Sequence, residues 1–350
     1  MSHLKVGMIG CGKIATSVHA PALFEHPKVE LIGFASRTKQ RAIALKAQYG
    51  HPNAQVYEDG WALINDPAID VVHICTPNDT HAMYAQFALE KGKHVMVEKP
   101  PAHTYEAAQQ MMQSLKQSNR QMSVMFHNRY RGETEALKQA IDAGQLGEIY
   151  YAEAHAIRRR GVPTWGHFTN QAIQGGGPLL DIGSHALDLV LYLLGDDRVV
   201  SVTGSSYQKL SDQGHLGNDF GPWKTDAYTV EDSAFAFLKT HRGATLIVRA
   251  SYALNVAASK EAAVTLAGTK AGAELHEAAV IHAYENGLPI SRRLDAKQRM
   301  AHTACIHAFI DALLEGHPVP VSFKSALTVQ QIISAIYESA STGQTIPLEV

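Results

Sequence analysis

The sequence has few cysteines and no excess charge of either sign, and both deficits narrow the class of protein. Only three cysteines occur among 350 residues, Cys11, Cys75 and Cys305, and an odd number without paired spacing does not fit a disulfide framework. We therefore expect reduced thiols that serve packing, in a cytoplasmic protein. The formal net charge of −2 provides no broad field to attract a phosphate backbone or an anionic membrane. Neither nucleic acid nor a membrane is expected as a partner.

Long apolar runs and clustered metal ligands are also missing from the sequence. The first strand-like segment comes without a basic, apolar leader, and no later apolar stretch is judged long enough to span a bilayer. The 19 histidines show no HExxH or CxxC spacing, so no metal is predicted. What the chain does have is a 45% hydrophobic content over a length sufficient for two cores. A two-domain α/β enzyme is the starting expectation.

The N-terminal segment joins a short apolar run to a glycine turn, GCGKIA, which opens a helical pattern. Gly10 permits a tight turn, Gly12 leaves room for a pyrophosphate, and Ala15 allows the helix to pack closely on the strand. The first helical turn, with Lys13 and Ile14, offers unpaired N–H groups to phosphates. This pattern predicts dinucleotide binding, and the alternative is an ordinary turn between a strand and a helix.

The N-terminal part of the chain alternates between buried strands and helices. Apolar runs predict strands at 5–9, 29–35, 71–75, 94–97 and 122–126. Helices are expected between them, the first clear one at 38–49. This alternation requires a parallel sheet covered on both faces. We therefore predict a doubly wound Rossmann domain over residues 1–126.

The end of the second strand indicates which dinucleotide binds. NAD enzymes usually carry an acid there for the ribose 2′-hydroxyl, whereas this chain has Ser36, Arg37 and Thr38. A guanidinium and hydroxyl groups suit a 2′-phosphate, so NADP is favoured over NAD. If Arg37 instead stacks on adenine or points into solvent, NAD stays open.

A longer motif between Ile74 and Pro101 is more specific than the glycine turn. It reads ICTPNDTHAMYAQFALEKGKHVMVEKPP and resembles the Gfo/Idh/MocA (glucose-fructose oxidoreductase and inositol dehydrogenase) family, with its pattern TPN…H…AL..GKHV..EKP. The resemblance implies an active-site lysine, Lys99, followed by a cis bond to Pro100. It also implies cofactor-binding roles for Thr76, Pro77, Asn78, His81, Glu98 and Lys99.

Physical reasoning about Lys99 supports the same role. The lysine follows a buried strand at its carboxyl end, which is the edge where ligands bind in open α/β sheets. Pro100 stiffens the chain directly after it. The alternative is a solvated surface lysine, which is what most lysines are.

Residues 127–350 predict a second domain of α+β class that holds the substrate. Segments rich in Val, Tyr, Phe and Thr indicate long strands of an open, largely antiparallel sheet. The predicted elements are a helix at 133–143, strands at 148–157, 228–238 and 244–253, and a final helix at 325–342. We expect that helix to brace the N-terminal domain. The resemblance implies that the free face of the sheet is buried in a homodimer or homotetramer.

The most specific motif of the second domain is GGGPLLDIGSHALDL, in which three glycines precede a predicted helix. Helical spacing places Asp181 and His185 on one face, with Asp188 further along it. An imidazole that titrates near neutrality suits reversible proton transfer, and a carboxylate beside it can orient it. The resemblance implies catalytic roles for Asp181 and His185. The alternative is a helix N-terminal acid and a core histidine.

Several other residues are candidates for substrate binding. Arg158 opens a basic run that suits an acidic or phosphorylated substrate, and Trp165 offers an aromatic face to a sugar ring. The full set of predicted substrate-binding residues is Tyr130, Arg158, Trp165, His167 and His185.

The sequence thus predicts an NAD(P)-dependent oxidoreductase that transfers a hydride between nicotinamide and a carbinol of a sugar, cyclitol or related polyol. Lys99 and His185 are expected to share the proton transfer in a cleft between the domains, and which of them is the principal base stays open. Two alternatives are kept. One is a redox-neutral enzyme that uses nicotinamide transiently to cleave a glycosidic bond, and the other is a non-catalytic, dinucleotide-sensing regulator.

Overall fold

A computed structural model describes residues 3–195, 197–214 and 217–349, and the chain divides into two compact units. The first unit comprises residues 1–127 and 300–328, and the second comprises residues 128–299 and 329–350. Each unit contains one sheet. The C-terminal segment 300–328 therefore groups with the N-terminal part of the chain.

The sheet of the first unit has six strands, all in parallel pairs. They are β1 (Leu4–Ile9), β2 (Val29–Ala35), β3 (Gln55–Val56), β4 (Val71–Ile74), β5 (His94–Val97) and β6 (Met122–Val124). Their order in the sheet is β3-β2-β1-β4-β5-β6. This is the order of a dinucleotide-binding doubly wound sheet, so the predicted Rossmann fold is confirmed.

Helices connect these strands and cover the sheet. They are α1 (Ala20–Glu25), α2 (Lys39–Tyr49), α3 (Gly60–Asn65), α4 (Asn78–Glu90) and α5 (Tyr105–Gln117), with a π-helical turn at Ala15–His19 before α1. Two of them begin at side-chain caps, because Asp59 accepts the N–H of Ala62 and Thr104 accepts the N–H of Ala107. Such caps satisfy N–H groups that a helix start leaves unpaired.

The second unit contains a nine-stranded sheet. Its strands are β7 (Ile149–Ile157), β8 (Val199–Tyr207), β9 (Ser233–Thr240), β10 (Thr245–Ser251), β11 (Lys260–Gly268), β12 (Gly272–Leu275), β13 (Ala279–Glu285), β14 (Leu288–Arg293) and β15 (Ile346–Pro347). Their order is β14-β13-β12-β11-β7-β10-β9-β8-β15. Among the described pairs of this sheet only β7 and β10 run parallel. The predicted open, largely antiparallel sheet is confirmed.

One strand of this sheet begins later than its composition suggests. The strand predicted from Tyr228 starts at Ser233, the first residue of β9. The Asp232 carboxylate accepts the backbone N–H groups of Lys209 and Leu210, both at 2.5 Å, so the chain here is held by side-chain bonds to a loop. Such local bonds compete with strand pairing.

The second unit also contains the helices α6 (Gly132–Asp142), α7 (Gln171–Gln174) and α8 (Ser184–Leu194), of which α6 packs on β12 and β13 and α8 on β7 and β11. The helical stretch Gln171–Leu194 is long and apolar enough to cross a membrane, by length and composition only. The expectation that no such stretch exists was therefore wrong. However, 78% of its apolar window is buried within the protein, as in the core helix of a globular domain.

The last two helices are α9 (Ala301–Glu315) and α10 (Phe323–Thr342). The break between the two units falls within α10, after Thr328. In the second unit α10 packs against β8, where the Gly204 N–H donates to Ser339 Oγ at 2.9 Å. The bracing of the N-terminal domain by this helix stays a prediction.

Candidate functional site

The glycine turn after β1 combines a tight approach with an open space. Gly10 has a φ of +90°, and a Cβ there would lie 2.5 Å from the carbonyl oxygen of Cys75. A Cβ on Gly12 meets no atom within 4 Å. Lys13 beside it is exposed, and Ile14 is half-buried. The residues present therefore fit a dinucleotide, because its pyrophosphate needs close backbone without a side chain in the way.

The end of β2 adjoins this turn. The Gly10 N–H donates to the carbonyl oxygen of Ala35, the last residue of β2, at 2.9 Å. Ser36 follows and is half-buried, while Arg37 and Thr38 are exposed. An exposed guanidinium at this edge is available to a phosphate group on the adenosine half of a dinucleotide.

His81, in α4, joins the turns that follow β4 and β5. Its Nδ1 lies 2.8 Å from the carbonyl oxygen of Pro100, and its Nε2 lies 2.8 Å from that of Thr76. The side chain is 1% exposed, and burial lowers its pKa. Both ring nitrogens thus face carbonyls of the protein itself. Any contribution of His81 to cofactor binding would therefore run through the turns at Thr76 and Pro100, whose carbonyls it contacts.

Glu98 and Lys99 follow β5, and the Lys99–Pro100 peptide is cis, as the family resemblance implied. The Glu98 side chain is buried; its Oε1 lies 2.7 Å from His19 Nε2, and its Oε2 accepts the Lys99 N–H at 3.1 Å. Burial alone raises the pKa of this carboxyl, but the hydrogen bond from His19 and the positive charge nearby, including that of Lys99, outweigh it and lower the pKa to about 2. Glu98 is therefore an ionised carboxylate beside a half-buried Lys99.

Histidines that the sequence analysis did not single out surround this turn. His19 contacts His73 as well as Glu98, and the rings of His127 and His302 are stacked with centroids 3.5 Å apart. Burial lowers the pKa of His302. No group of three or more His, Cys, Asp or Glu in the part of the chain that the structure describes is arranged to hold a metal ion. The sequence carried no signal for this cluster beyond a high histidine count.

In the second unit, Asp181 lies in a π-helical turn, Leu179–Gly183, and His185 lies in the first turn of α8. The continuous α-helix assumed from their spacing is therefore wrong at this point. The start of the turn is held by a half-buried carboxylate, because Glu231 accepts the N–H groups of Gly177 and Leu179 at 2.9 and 3.1 Å. Glu231 is a further residue that the sequence analysis missed.

The buried carboxylate of Asp181 has a defined partner. Its Oδ2 accepts the hydroxyl of Tyr252 at 2.7 Å, and the Tyr252 side chain is fully buried. Burial and the neighbouring Asp181 raise the pKa of Tyr252 well above its usual value, so the phenol stays a donor. This bond fixes the direction of one carboxylate oxygen.

Asp188, which helical spacing placed along the same face, has a different partner. Its carboxylate accepts two hydrogen bonds from the Arg129 guanidinium, at 2.9 Å from Nε and 2.5 Å from Nη2. Asp188 is fully buried. It therefore belongs to a buried ion pair that anchors α8, and its charge is matched there.

Contacts within the second unit connect Asp181 to the predicted aromatic platform. The guanidinium of Arg158 lies 5.8 Å from the ring centre of Tyr252 and 5.9 Å from that of Phe220. Phe220 in turn packs edge-on against Trp165, with ring centroids 4.8 Å apart. Trp165 is 44% exposed, as a sugar platform must be. Arg158 and Trp165, predicted separately, therefore belong to one connected group.

The remaining substrate candidates are less well defined by contacts. Arg158 Nε pairs with Glu261 Oε2 at 2.8 Å, so its charge is already matched and an acidic substrate is not needed to explain it. Tyr130 ends a 3-10 turn, and His167 lies in the loop before α7; both are half-buried. Their roles in substrate binding stay predictions.

Comparison with known proteins gives matches to both units. Residues 4–126 match the family model described as "Oxidoreductase family, NAD-binding Rossmann fold", and residues 138–348 match "Oxidoreductase family, C-terminal alpha/beta domain". D-glucoside 3-dehydrogenase of Escherichia coli (strain K12) is 38% identical over 348 residues, covering 99% of this chain and 98% of that protein.

Two further relatives are similar over their whole length. The scyllo-inositol 2-dehydrogenase (NADP(+)) IolW of Bacillus subtilis (strain 168) is 25% identical over 371 residues, covering 99% of this chain and 96% of that protein. The solved structure of levoglucosan dehydrogenase in complex with NADH and levoglucosan matches with a TM-score of 0.86, at 23% identity and 99% coverage of both chains. This last likeness is one of fold.

Proposed function

Because this chain belongs to the Gfo/Idh/MocA family of NAD-binding oxidoreductases, we propose that it oxidises a ring carbinol of a D-glucoside or a closely related sugar. The observation that carries the proposal is that three turns, after β1, β4 and β5, lie next to each other along one edge of the first sheet. The full-length similarity to D-glucoside 3-dehydrogenase supports the substrate class.

The three turns follow β1, β4 and β5, which are neighbours in the sheet. The Cys75 N–H donates to the Ile9 carbonyl at 2.8 Å, and the Glu98 N–H donates to the Ile74 carbonyl at 3.0 Å, so each strand end is bonded to the next. Parallel strands bring their carboxyl ends to one edge, where ligands bind in such sheets. Lys99 therefore shares the edge of the Gly12 turn, which is where a lysine serving a bound dinucleotide must be.

The chemistry requires removal of a hydride and a proton from one carbinol. A nicotinamide held on the Gly12 turn would supply the hydride acceptor. The Lys99 ammonium stabilises negative charge that develops on the carbinol oxygen, and the His185 imidazole accepts the proton. Asp181, with one oxygen fixed by the Tyr252 hydroxyl, supports the charged imidazole. In this proposal Lys99 and His185 serve one proton transfer.

NADP is the favoured acceptor because the exposed Arg37 follows β2 at the position where NAD enzymes usually carry an acidic residue for the ribose 2′-hydroxyl. The relatives do not decide between the two cofactors. One is named as an NADP(+) enzyme, and another was solved with NADH.

The direct test is turnover of methyl β-D-glucoside, free glucose and scyllo-inositol with NADP and NAD, followed at the nicotinamide absorbance. We expect reduction of the dinucleotide by the glucoside, faster with NADP, and none with a Lys99→Met control. Release of methanol without net NAD(P)H would identify the glycoside-cleaving alternative. Tight dinucleotide binding without turnover on any substrate would identify the sensing regulator.

We further propose that a second copy of the chain covers the free face of the nine-stranded sheet. Along β9, Ala234, Ala236 and Leu238 are buried, while Phe237 on the opposite face is 44% exposed. Phe235 on the same face and Ile247, the partner of Phe237 on β10, are half-buried and extend it into a contiguous apolar patch, which marks an interaction surface. Light scattering should show that Phe237→Glu lowers the molar mass, whereas Phe24→Glu, at a more exposed phenylalanine of the first unit, should leave it unchanged.

We also propose a cytoplasmic location. Cys11, Cys75 and Cys305 are all buried and form no disulfide within the described parts of the chain. Thiols kept reduced are typical of that compartment. Cell fractionation that recovers the protein outside the cytoplasm would contradict this assignment.

A further inference from the structure

A buried chain of hydrogen bonds crosses the first unit below the Lys99 turn. His73, in β4, has its Nδ1 3.1 Å from His19 Nδ1, and His19 Nε2 is 2.7 Å from Glu98 Oε1. The other Glu98 oxygen accepts the Lys99 N–H at 3.1 Å. His19 and His73 are fully buried. Neither side chain reaches solvent, so their roles must be exerted through Glu98.

The direction of this chain follows from which nitrogens carry hydrogen. His73 Nε2 is buried and has no hydrogen-bond partner among the described residues, and the Phe309 ring packs edge-on against this imidazole. A hydrogen on that nitrogen would be a buried donor without an acceptor, which is costly. The hydrogen of a neutral His73 therefore lies on Nδ1 and is donated to His19 Nδ1. His19 then carries its own hydrogen on Nε2 and donates it to Glu98.

We propose that His19 and His73 are positioning residues of the dehydrogenase, which hold the Glu98 carboxylate and through it the backbone of Lys99. The proposal rests on the role assigned to Lys99 under the proposed function. His19 sits at the end of the π-helical turn Ala15–His19, on the same segment as the glycine turn. The hydrogen-bonded chain His73–His19–Glu98, called the relay below, therefore joins the segment that follows the glycine turn to the segment that carries Lys99.

The relay also keeps Glu98 charged, and this gives a specific signature. In the intact protein His19 lowers the pKa of Glu98 to about 2 against burial, which acts to raise it. Without His19 the burial remains and the main opposing partner is gone, so the pKa should rise. The other titratable groups whose charges interact with Glu98 are Lys99 beside it, Cys75 after β4, His81 in α4, His127 after β6 and His302 in α9.

Two substitutions of His19 separate its two contacts. A glutamine amide can stand in for Nε2, so His19→Gln keeps the donor to Glu98 and loses the link to His73. An asparagine amide oxygen can stand in for Nδ1, so His19→Asn keeps the link to His73 and loses the donor to Glu98. We expect His19→Asn to lower kcat at pH 7 by about ten- to hundredfold and His19→Gln by only about three- to tenfold, because misplacement of a reacting group is costly. Equal losses in the two variants would overturn the proposal.

The pH dependence of kcat gives a second measurement, which a general loss of structure would not change in this way. His19→Asn should acquire an acid limb in kcat between about pH 5 and 8, as Glu98 becomes protonated, and His19→Gln should not. Adding Glu98→Gln to His19→Asn should abolish the limb, although its rate stays low. A His19→Asn profile with the shape of the wild type would contradict the assignment.

An unfolding series makes the test independent of turnover. A raised folded-state pKa of Glu98 contributes stability below the unfolded value, and this is lost as the pH rises through the folded value. The denaturation free energy of His19→Asn, relative to wild type, should therefore fall as the pH rises above about 4.5. If the wild type reduced no dinucleotide on any sugar, the proposed function would fail, while this series would still test the relay.

His73 is tested by loss and rescue. His73→Phe keeps the ring and removes the donor, and should lower kcat about three- to tenfold with dinucleotide affinity unchanged. His73→Asn restores a neutral donor at the Nδ1 position and should recover kcat to within about twofold of wild type. His94→Asn, the same substitution on the adjacent strand β5, is the control and should not change kcat. If His73→Phe lowered kcat and His73→Asn did not restore it, His73 would serve packing alone.

Discussion

The two glycines of the N-terminal turn should respond to substitution in opposite ways. Gly10 has a φ of +90° and its missing Cβ would collide with the Cys75 carbonyl, whereas Gly12 is not left-handed and faces open space. Gly12→Val and Gly10→Ala therefore separate the room needed by the dinucleotide from the room needed by the fold. The first should affect binding, and the second should affect stability.

The expected magnitudes follow from these distances. A left-handed alanine costs about 1–2 kcal/mol, and forcing a Cβ to 2.5 Å from a backbone oxygen adds about 1–3 kcal/mol as the strand end of β4 shifts. Gly10→Ala should thus lose about 2–5 kcal/mol of unfolding free energy. Gly12→Val should stay within about 1 kcal/mol of wild type, because a Cβ at this position meets no atom within 4 Å.

Binding should show the reverse order. A valine at position 12 occupies the space of the pyrophosphate, so the affinity for NADP and NAD should fall by at least about a hundredfold, which is about 2.7 kcal/mol. Titration calorimetry gives the affinities, and urea denaturation followed by circular dichroism gives the stabilities. Gly10→Ala, whose Cβ meets the Cys75 carbonyl and not the open space at Gly12, should lose less dinucleotide affinity than Gly12→Val where it is folded, and it serves as the comparison variant.

Two results would refute this reasoning. Near-normal dinucleotide binding by a folded Gly12→Val protein would show that the ligand does not lie on the turn. A Gly10→Ala protein as stable as the wild type would show that β1 and β4 do not approach each other closely there.

Four further outcomes are expected. Arg37→Ala should weaken NADP binding by about 1.5–3 kcal/mol and leave NAD unchanged by calorimetry, and equal losses would refute the NADP preference. Lys99→Met and His185→Ala should each lower turnover by roughly two to four decades at nearly constant dinucleotide affinity, and the double variant should lose much less than their product; near-normal turnover in either single variant would show a structural role. Tyr252→Phe, which removes the hydroxyl bonded to the buried carboxylate, should lower kcat more than it raises KM, and an effect on KM alone would place the tyrosine in substrate binding. Burial and a nearby arginine lower the pKa of His94 to about 4. The stability that His94 contributes is therefore complete above its unfolded pKa and is lost as the pH falls towards 4. His94→Asn should lose less unfolding free energy over that pH interval, and an unchanged pH dependence would disprove the assignment.

The strands and turns of the first unit were predictable because they are local. Buried parallel strands are short, continuous apolar runs, and β2 and β5 have the bounds that their runs predicted. The glycine turn and the Lys99–Pro100 segment each lie within a few residues. Their sheet-edge position follows from parallel topology, since successive strands bring their carboxyl ends to one side.

Periodicity was less informative in the second unit. It predicted a regular helix through Asp181 and a strand from Tyr228, whereas the structure has a π-helical turn and a later strand start. In both places a carboxylate, half-buried Glu231 or buried Asp232, accepts backbone N–H groups from a distant segment. Local sequence propensity does not depend on residues so far along the chain, so it does not predict these bonds.

What the sequence determined by itself was therefore the class of fold, the glycine turn, the lysine segment and the Asp181–His185 motif, since each depends on neighbours in the chain. The tertiary structure alone decided which side chains meet. Asp181 is bonded to Tyr252, 71 residues away, and Glu98 to His19, 79 residues away. A pair of that kind is set by how strands and helices pack, and burial then gives a single hydrogen bond or charge its influence, because no water is present to replace it.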